Sequence, residues 1–169
     1  LYACSGMDWA SVEPAIFGTL FERFMDPAKR SQAGAHYTHK DDIMTLVEPV
    51  LMAPLRREWE ETKKKALALR EKRDGLKDAE YRKVDNTLWK LLDSFDYGLS
   101  TIRVLDPACG SGNFLYVALN LLKDLEDEVH KFAVKSHVPP PFPRVSPDQL
   151  YGIEINPYAA ELAQLVVWI

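Results

Sequence analysis

The chain of 169 residues is long enough for one ordinary domain with a hydrophobic core. Its 47% hydrophobic and 27% charged residues are typical of globular proteins, and no apolar run is long enough to span a bilayer. A net charge of −4 excludes a generally basic nucleic-acid-binding domain. Cys4 and Cys109 are too few for a disulfide or zinc framework, and no signal peptide is recognisable. We therefore expect a cytoplasmic protein without a membrane partner.

The N-terminal part of the chain predicts two helices separated by a loop. Residues 13–25 place apolar side chains at helical spacing, namely Ile16, Leu20, Phe21 and Phe24. After a glycine-containing loop, Asp41 or Asp42 is suited to cap a second helix, which Pro49 and Pro54 would kink or divide.

Two further helices are expected before residue 100. Residues 55–73 interleave basic and acidic side chains, which we interpret as a solvated helix, with a DNA-facing helix as the minor alternative. Residues 78–95 carry an apolar face formed by Tyr81, Leu88, Trp89 and Leu92.

The pattern changes after residue 100. Residues 102–105 predict a short, buried strand, residues 113–135 a long amphipathic helix, and residues 149–155 a second strand after a proline-rich loop. Pro157 occupies the favoured first position of another helix. Strand, helix, strand and helix in this order predict parallel strands in an α/β sheet. We expect a helical extension at 1–100 and an α/β domain at 101–169.

Neither end of the chain reads as a domain boundary. The first residue is not Met, and the final predicted helix has no cap or breaker. We therefore expect a piece of a longer protein.

A glycine-rich turn, DPACGSGNF at 106–114, connects the first of these strands to the long helix. Gly110 and Gly112 permit a tight turn and a close approach of a ligand, and the helix that follows presents unpaired N–H groups. The turn lacks the Gly-Lys-Ser/Thr of a phosphate-binding P-loop, and Leu115 stands where a dinucleotide-binding motif has a small residue.

Two acids indicate which ligand the turn serves. Asp106 ends the first strand and Glu154 lies near the end of the second, so both are expected to face the crevice at the carboxyl edge of the sheet. Glu154 could accept hydrogen bonds from a ribose, while Asp106 would repel a pyrophosphate and attract a cation. S-adenosylmethionine, which has a sulfonium, an ammonium group and a ribose, fits both. As alternatives, Asp106 could be only a turn residue and Glu154 only a surface acid.

Other reactive side chains have simpler interpretations. Cys109 reads as a small packed residue because no partner base is evident. His36 and His39 lack further ligands, so no metal site is expected.

Three segments resemble amino-directed DNA methyltransferases, especially those that modify adenine N6. VLDPACGSGNFL resembles their first motif, GIEINPYAAELAQ the next one, and AGAHYTHKDDI the motif that precedes both in this permuted order. His39 stands where that last motif commonly has proline. The GAHYT string followed by a long charged insertion is similar to the MmeI-like branch, in which nuclease, methyltransferase and target recognition share one chain.

The resemblance implies a class I methyltransferase fold, a Rossmann-like parallel sheet that is only partly present, with S-adenosylmethionine as cofactor and DNA as partner. Asp106 would interact with the cofactor's amino group, Glu154 with the ribose hydroxyls and Ile155 with the adenine. The implied cofactor-binding residues are Tyr37, Thr38, Asp106, Ala108, Gly110, Gly112, Asn113, Phe114, Glu154 and Ile155.

The catalytic motif of that family, Asn, Asp or Ser followed by Pro-Pro and Tyr or Phe, is absent from the chain. Val138-Pro-Pro-Pro-Phe142 lacks the polar acceptor, and Asn156-Pro157-Tyr158 lacks the second proline. No catalytic residue is therefore assigned, and we expect this piece alone to be inactive. The alternatives are a non-catalytic nucleotide-binding or scaffold module and a Rossmann-type oxidoreductase domain. The residues leave open adenine N6 against cytosine N4, the DNA sequence recognised and the oligomeric state.

Overall fold

A computed structural model describes residues 40–168 together with the isolated positions Ile16 and Thr38. The helix expected at 13–25 lies outside the described residues except for Ile16, which is helical and exposed. Most of the loop that carries the Tyr37-Thr38 motif lies outside them as well.

Five α-helices and two strands make up the described structure. The helices are α1 (Lys40–Val47), α2 (Ala53–Asp74), α3 (Asp78–Thr101), α4 (Asn113–Lys135) and α5 (Pro157–Trp168). The strands are β1 (Val104–Asp106) and β2 (Leu150–Gly152), and a 3₁₀ turn (Pro147–Gln149) precedes β2. None of these helices is both long enough and apolar enough to cross a bilayer.

A π-helical turn, Glu48–Met52, separates α1 from α2. Pro49 lies in its first turn, and Pro54 lies in the first turn of α2. Because proline has no N–H to donate and crowds the carbonyl four residues earlier, the regular helical ladder is interrupted at this point. The expected division of the helix is thus confirmed, and it takes the form of one wide turn without a change to extended backbone.

The charged helix α2 packs through one stripe of its surface. Trp59, Thr62, Ala66 and Arg73 are buried. Lys63 pairs with Glu60 of the same helix at 2.7 Å and with Glu128 of α4 at 2.9 Å. The Trp59 indole lies 5.1 Å from the Phe95 ring of α3 and 5.6 Å from the Phe132 ring of α4. This arrangement agrees with the interpretation of residues 55–73 as a solvated helix.

One hydrophobic core joins the N-terminal helices to the α/β unit. Buried Leu88 and Leu92 of α3 belong to the same cluster as Val117 and Leu122 of α4. The division at residue 100 therefore stays a prediction about sequence segments, because the apolar packing continues across it.

The two strands pair in parallel, with Val104 opposite Leu150 and Asp106 opposite Gly152. Helix α4 makes the crossover between them, which confirms the predicted partial α/β sheet with a helical N-terminal extension. The expectation that the first strand is buried is wrong for Leu105, which is 60% exposed. Successive side chains on a strand face opposite sides of the sheet, and among the described residues the core covers only the side that carries Val104.

Candidate cofactor site

The glycine-rich turn runs from the end of β1 to the start of α4. Gly110 has φ of +53° and Gly112 of +84°, both in the left-handed region that favours glycine. The N–H of Gly112 donates to the carbonyl of Cys109 at 2.8 Å, which closes the turn before Asn113 begins the helix. The sequence prediction of a tight loop between strand and helix is therefore confirmed.

The two glycines have different surroundings. A Cβ added at Gly112 would lie 3.0 Å from both Cα and Cβ of Ala163 on α5, so this glycine allows two helices to approach closely. A Cβ added at Gly110 would meet no atom within 4 Å. Gly110 therefore presents open backbone on the side where a ligand could approach, whereas Gly112 serves packing.

Asp106, the last residue of β1, folds its carboxylate back onto the turn. Its Oδ1 accepts the N–H of Ala108 at 3.0 Å, which is the geometry of an Asx turn. The alternative interpretation as a turn residue thus describes a real contact. That contact uses only one oxygen, so the carboxylate keeps acceptor capacity for a cationic group.

Glu154, two residues after β2, bridges the turn and the segment that follows the second strand. Its Oε2 accepts the N–H of Gly110 at 2.9 Å, and its Oε1 accepts the N–H of Asn156 at 2.8 Å. Each carboxylate oxygen has a second lone pair, so two further hydrogen bonds remain possible. The side chain is half-buried and held in one orientation by backbone groups on both sides.

The two acids line separate cavities on either side of the turn. Asp106 lines a largely apolar cavity of about 450 Å³ between β1 and the α1 region, and Glu154 lines one of about 240 Å³ between β2 and α5. The carbonyl of Asp106 accepts the N–H of Ile153 at 2.9 Å, which ties the end of β1 to the residue after β2. Ala108 of the turn lines the larger cavity and Cys109 lines the smaller one, so a single ligand that touches both acids would pass along the glycine-rich turn.

The remaining implied site residues occupy varied positions. Phe114 and Ala108 line the larger cavity, and Ile155 is 91% exposed beyond β2. The side-chain amide of buried Asn113 donates to the carbonyl of Thr38 at 3.2 Å, so the N-terminal motif meets the glycine-rich turn. Tyr37 lies outside the described residues.

The apolar wall of the larger cavity was not predicted from the sequence. Leu46 and Val50 face this cavity although they are 56% and 70% exposed. Their helical spacing was visible in the sequence, but it predicts an apolar face and not which space that face borders.

Two neighbouring side chains, Cys109 and Asn156, have surroundings that account for them without a role in chemistry. Burial, together with the nearby charges of Asp106 and Glu154, raises the pKa of the Cys109 thiol, which disfavours a nucleophilic thiolate. Asn156 uses its Oδ1 to accept the N–H groups of Tyr158 and Ala159, at 3.0 and 3.4 Å. It therefore caps the start of α5, as the sequence indicated.

A second cluster of polar side chains lies between α3, α4 and the proline-rich loop. Ligand atoms of Asp96, Glu126 and His130 lie within 4.8 Å of one another, which would suit a metal ion. Arg144 donates to Asp96 at 3.1 Å, however, and Glu126 accepts the backbone N–H groups of Arg144 and Val145 at 2.6 and 2.8 Å. These donors already satisfy the carboxylates, so the cluster reads as the attachment of the proline-rich loop.

The parallel strand–helix–strand unit, the glycine-rich turn and the acid after the second strand define the class. They form part of a class I, Rossmann-like methyltransferase fold. A family comparison then gives the particular family: residues 77–169 match the model described as MmeI, DNA-methyltransferase domain, and the chain belongs to that family.

Individual relatives agree with this assignment. The chain is 29% identical over 171 residues to DNA methyltransferase A of Bacillus subtilis strain 168, covering 96% of the chain and 16% of the relative. It is similar, with a TM-score of 0.74 and 32% identity, to the solved structure of the type IIL restriction-modification enzyme MmeI in complex with DNA. That match covers 96% of this chain and 19% of MmeI. The chain thus spans less than a fifth of the length of these relatives.

Proposed function

We propose that this chain binds S-adenosylmethionine at the glycine-rich turn and forms the cofactor-binding part of a DNA methyltransferase that modifies adenine N6. The observation that carries the proposal is the orientation of Glu154, whose two oxygens are fixed by Gly110 and Asn156 and keep lone pairs for a ribose diol. The class of the domain and its family support the same ligand.

The charges at the turn favour this cofactor over a dinucleotide. Asp106 lies at the start of the turn, where a pyrophosphate would meet a carboxylate, and it retains acceptor capacity for an ammonium group. S-adenosylmethionine would supply an electrophilic methyl group bound to its sulfonium. This chain's residues would bind and orient it through Gly110, Asp106 and Glu154, with Thr38 and Asn113 joining the N-terminal motif to the turn.

The transfer step requires residues that this chain does not carry. A polar acceptor and a stacked aromatic ring must hold the flipped base, and no Asn/Asp/Ser-Pro-Pro-Tyr/Phe string occurs in the sequence. We therefore propose that the 169-residue chain alone transfers no methyl group and binds DNA weakly, and that the intact protein acts on DNA in the cytoplasm.

Binding and product analysis test the two halves of the proposal. Calorimetry on the chain should show binding of S-adenosylmethionine and S-adenosylhomocysteine and poor binding of NAD; tighter binding of NAD would overturn the cofactor assignment. The intact protein, given labelled cofactor and duplex DNA, should yield N6-methyladenine after digestion to nucleosides. Label on cytosine would replace the adenine assignment and leave the cofactor assignment standing.

A further inference from the structure

Gln149 is a buried polar residue with no part in the site described above. It ends the 3₁₀ turn before β2 and is 2% exposed. Its Nε2 donates to the carbonyl oxygens of Leu99 at 2.8 Å and Ile102 at 3.1 Å. Its Oε1 accepts the N–H of Ser146 at 3.0 Å. The side-chain amide therefore uses both of its donors and one acceptor.

These hydrogen bonds connect the segments that enter the two strands. Leu99 lies in the last turn of α3, where carbonyls lack α-helical partners, and Ile102 lies two residues before β1. Gln149 itself is followed at once by β2. One side chain thus holds the start of β2 beside the start of β1.

The sheet itself specifies its register only weakly. The strands pair over three residues each, from Val104 opposite Leu150 to Asp106 opposite Gly152. Past Gly152, Ile153 donates to the carbonyl of Asp106 at 2.9 Å and accepts the N–H of Cys109 at 3.0 Å. Even with these two bonds, so short a parallel ladder contains few hydrogen bonds, and two-stranded sheets are marginal in isolation. A shift by two residues would keep the facing of the side chains and displace Glu154 by about 6.6 Å, at about 3.3 Å per residue. The 2.9 Å contact between Glu154 and Gly110 would then be lost.

We propose that Gln149 is a positioning residue for cofactor binding: it fixes the register of β2 against β1 so that the Glu154 carboxylate meets the glycine-rich turn. The proposal rests on the proposed function of Glu154 as the ribose acceptor. Helix capping alone does not explain Gln149. The hydrogen bond between Gln149 and Ser146 closes the 3₁₀ turn. The two hydrogen bonds from Nε2 connect that turn to Leu99 of α3 and to Ile102, which precedes β1.

Two variants separate these functions in the intact protein. Gln149→Met keeps the approximate length of the side chain and removes all three hydrogen bonds. Gln149→Glu keeps the acceptor for Ser146 and replaces the donor to Leu99 and Ile102 by an oxygen, so it tests the strand connection if Gln149→Met does not fold. Leu88→Ala is the matched control, because it leaves a cavity in the same core and removes none of the three hydrogen bonds of Gln149.

Calorimetry should show that either Gln149 variant binds S-adenosylmethionine at least about tenfold more weakly than the wild type, whereas Leu88→Ala binds it normally despite a lower melting temperature. Adding Gln149→Met to Glu154→Ala should weaken binding no further, because both act through one carboxylate. A purely structural role predicts a lower melting temperature with unchanged affinity, and that result would overturn the proposal, as would additive losses in the double variant.

Hydrogen exchange without cofactor tests the role of Gln149 in strand register separately from the proposed binding of S-adenosylmethionine. The amide of Gly110 donates to Glu154, so its hydrogen exchange should accelerate about tenfold or more in Gln149→Met and not in Leu88→Ala. If the wild type bound no S-adenosylmethionine, the proposed function would fail. Accelerated exchange would still support the register assignment, and unchanged exchange would overturn it.

Discussion

Replacing Glu154 by glutamine changes one carboxylate oxygen into an NH₂ group and tests both tasks of the side chain. The carboxylate now accepts the N–H of Gly110 at 2.9 Å and that of Asn156 at 2.8 Å. A glutamine can accept only one of these bonds, because its amide nitrogen has no lone pair to offer. The other backbone N–H then faces an NH₂ group and loses its acceptor.

The structure sets the magnitude of both effects. An unsatisfied buried donor costs roughly 1–3 kcal/mol, and the half-exposure of Glu154 places the expected loss of unfolding free energy in the lower part, at about 1–2 kcal/mol. A hydrogen bond to a charged acceptor contributes roughly 1.5–3 kcal/mol, so loss of the charge facing the ribose should weaken S-adenosylmethionine binding about ten- to a hundred-fold. The substitution should therefore lower both the unfolding free energy and the affinity for S-adenosylmethionine.

Calorimetry with S-adenosylmethionine and urea unfolding measure the two quantities on the same preparations. Glu161→Gln is the matched control, since Glu161 is an exposed acid on α5 and the same charge is removed. Equal cofactor affinity of the wild type and Glu154→Gln would refute the ribose assignment. Unchanged unfolding free energy would refute the claim that this carboxylate holds the turn.

Two further predictions concern the turn and the buried polar cluster. Gly112→Ala should lower the unfolding free energy by roughly 2–4 kcal/mol, because left-handed backbone strain adds to the clash with Ala163. Gly110→Ala should lower the unfolding free energy by only about 1–2 kcal/mol, but it should weaken S-adenosylmethionine binding more strongly than Gly112→Ala does. If urea unfolding and calorimetry gave the reverse order, Gly110 would be the packing residue and Gly112 the ligand-facing one. Burial, and then the charge of Glu126, raises the pKa of Asp96, so the folded state holds this proton more tightly than the unfolded chain. We therefore compare the unfolding free energy of the wild type with that of Asp96→Asn as the pH is lowered. The difference should rise as pH falls through the raised pKa of Asp96 and level off below the ordinary value of 3.8. A falling difference over that pH range would contradict the direction of the pKa shift.

The helices were predicted best, because helical spacing, glycine and proline act within a short stretch of sequence. Helix α4 begins and ends where the apolar period and Gly112 placed it, at Asn113 and Lys135. The strand bounds were predicted less accurately: 102–105 begins two residues before β1 and stops one residue short of its end, whereas 149–155 begins one residue before β2 and continues three residues past it. The pairing of an individual residue depends on its neighbour across the sheet, and no window along one strand contains that information.

Contacts between distant parts of the chain were beyond the sequence patterns. Arg144 bonds Asp96 across 48 positions, and Gln149 bonds Leu99 across 50. Each of these residues reads as an ordinary surface polar residue when taken alone, so their burial could not be predicted. The acid Glu154 was found because its position after a strand has a physical meaning, but its bond to Gly110 depends on the register of two strands.

The exposed position of Leu105 has a consequence for handling the chain in concentrated solution. Within the described part of the structure β1 pairs with β2 alone, so no further strand lies along its other edge, and β1 borders an apolar cavity. An open edge flanked by exposed Leu46 and Val50 is a template for pairing with a second molecule. Preparations of this chain alone should therefore be kept dilute, and a charged substitution at Leu105 is the direct means of discouraging edge-to-edge aggregation.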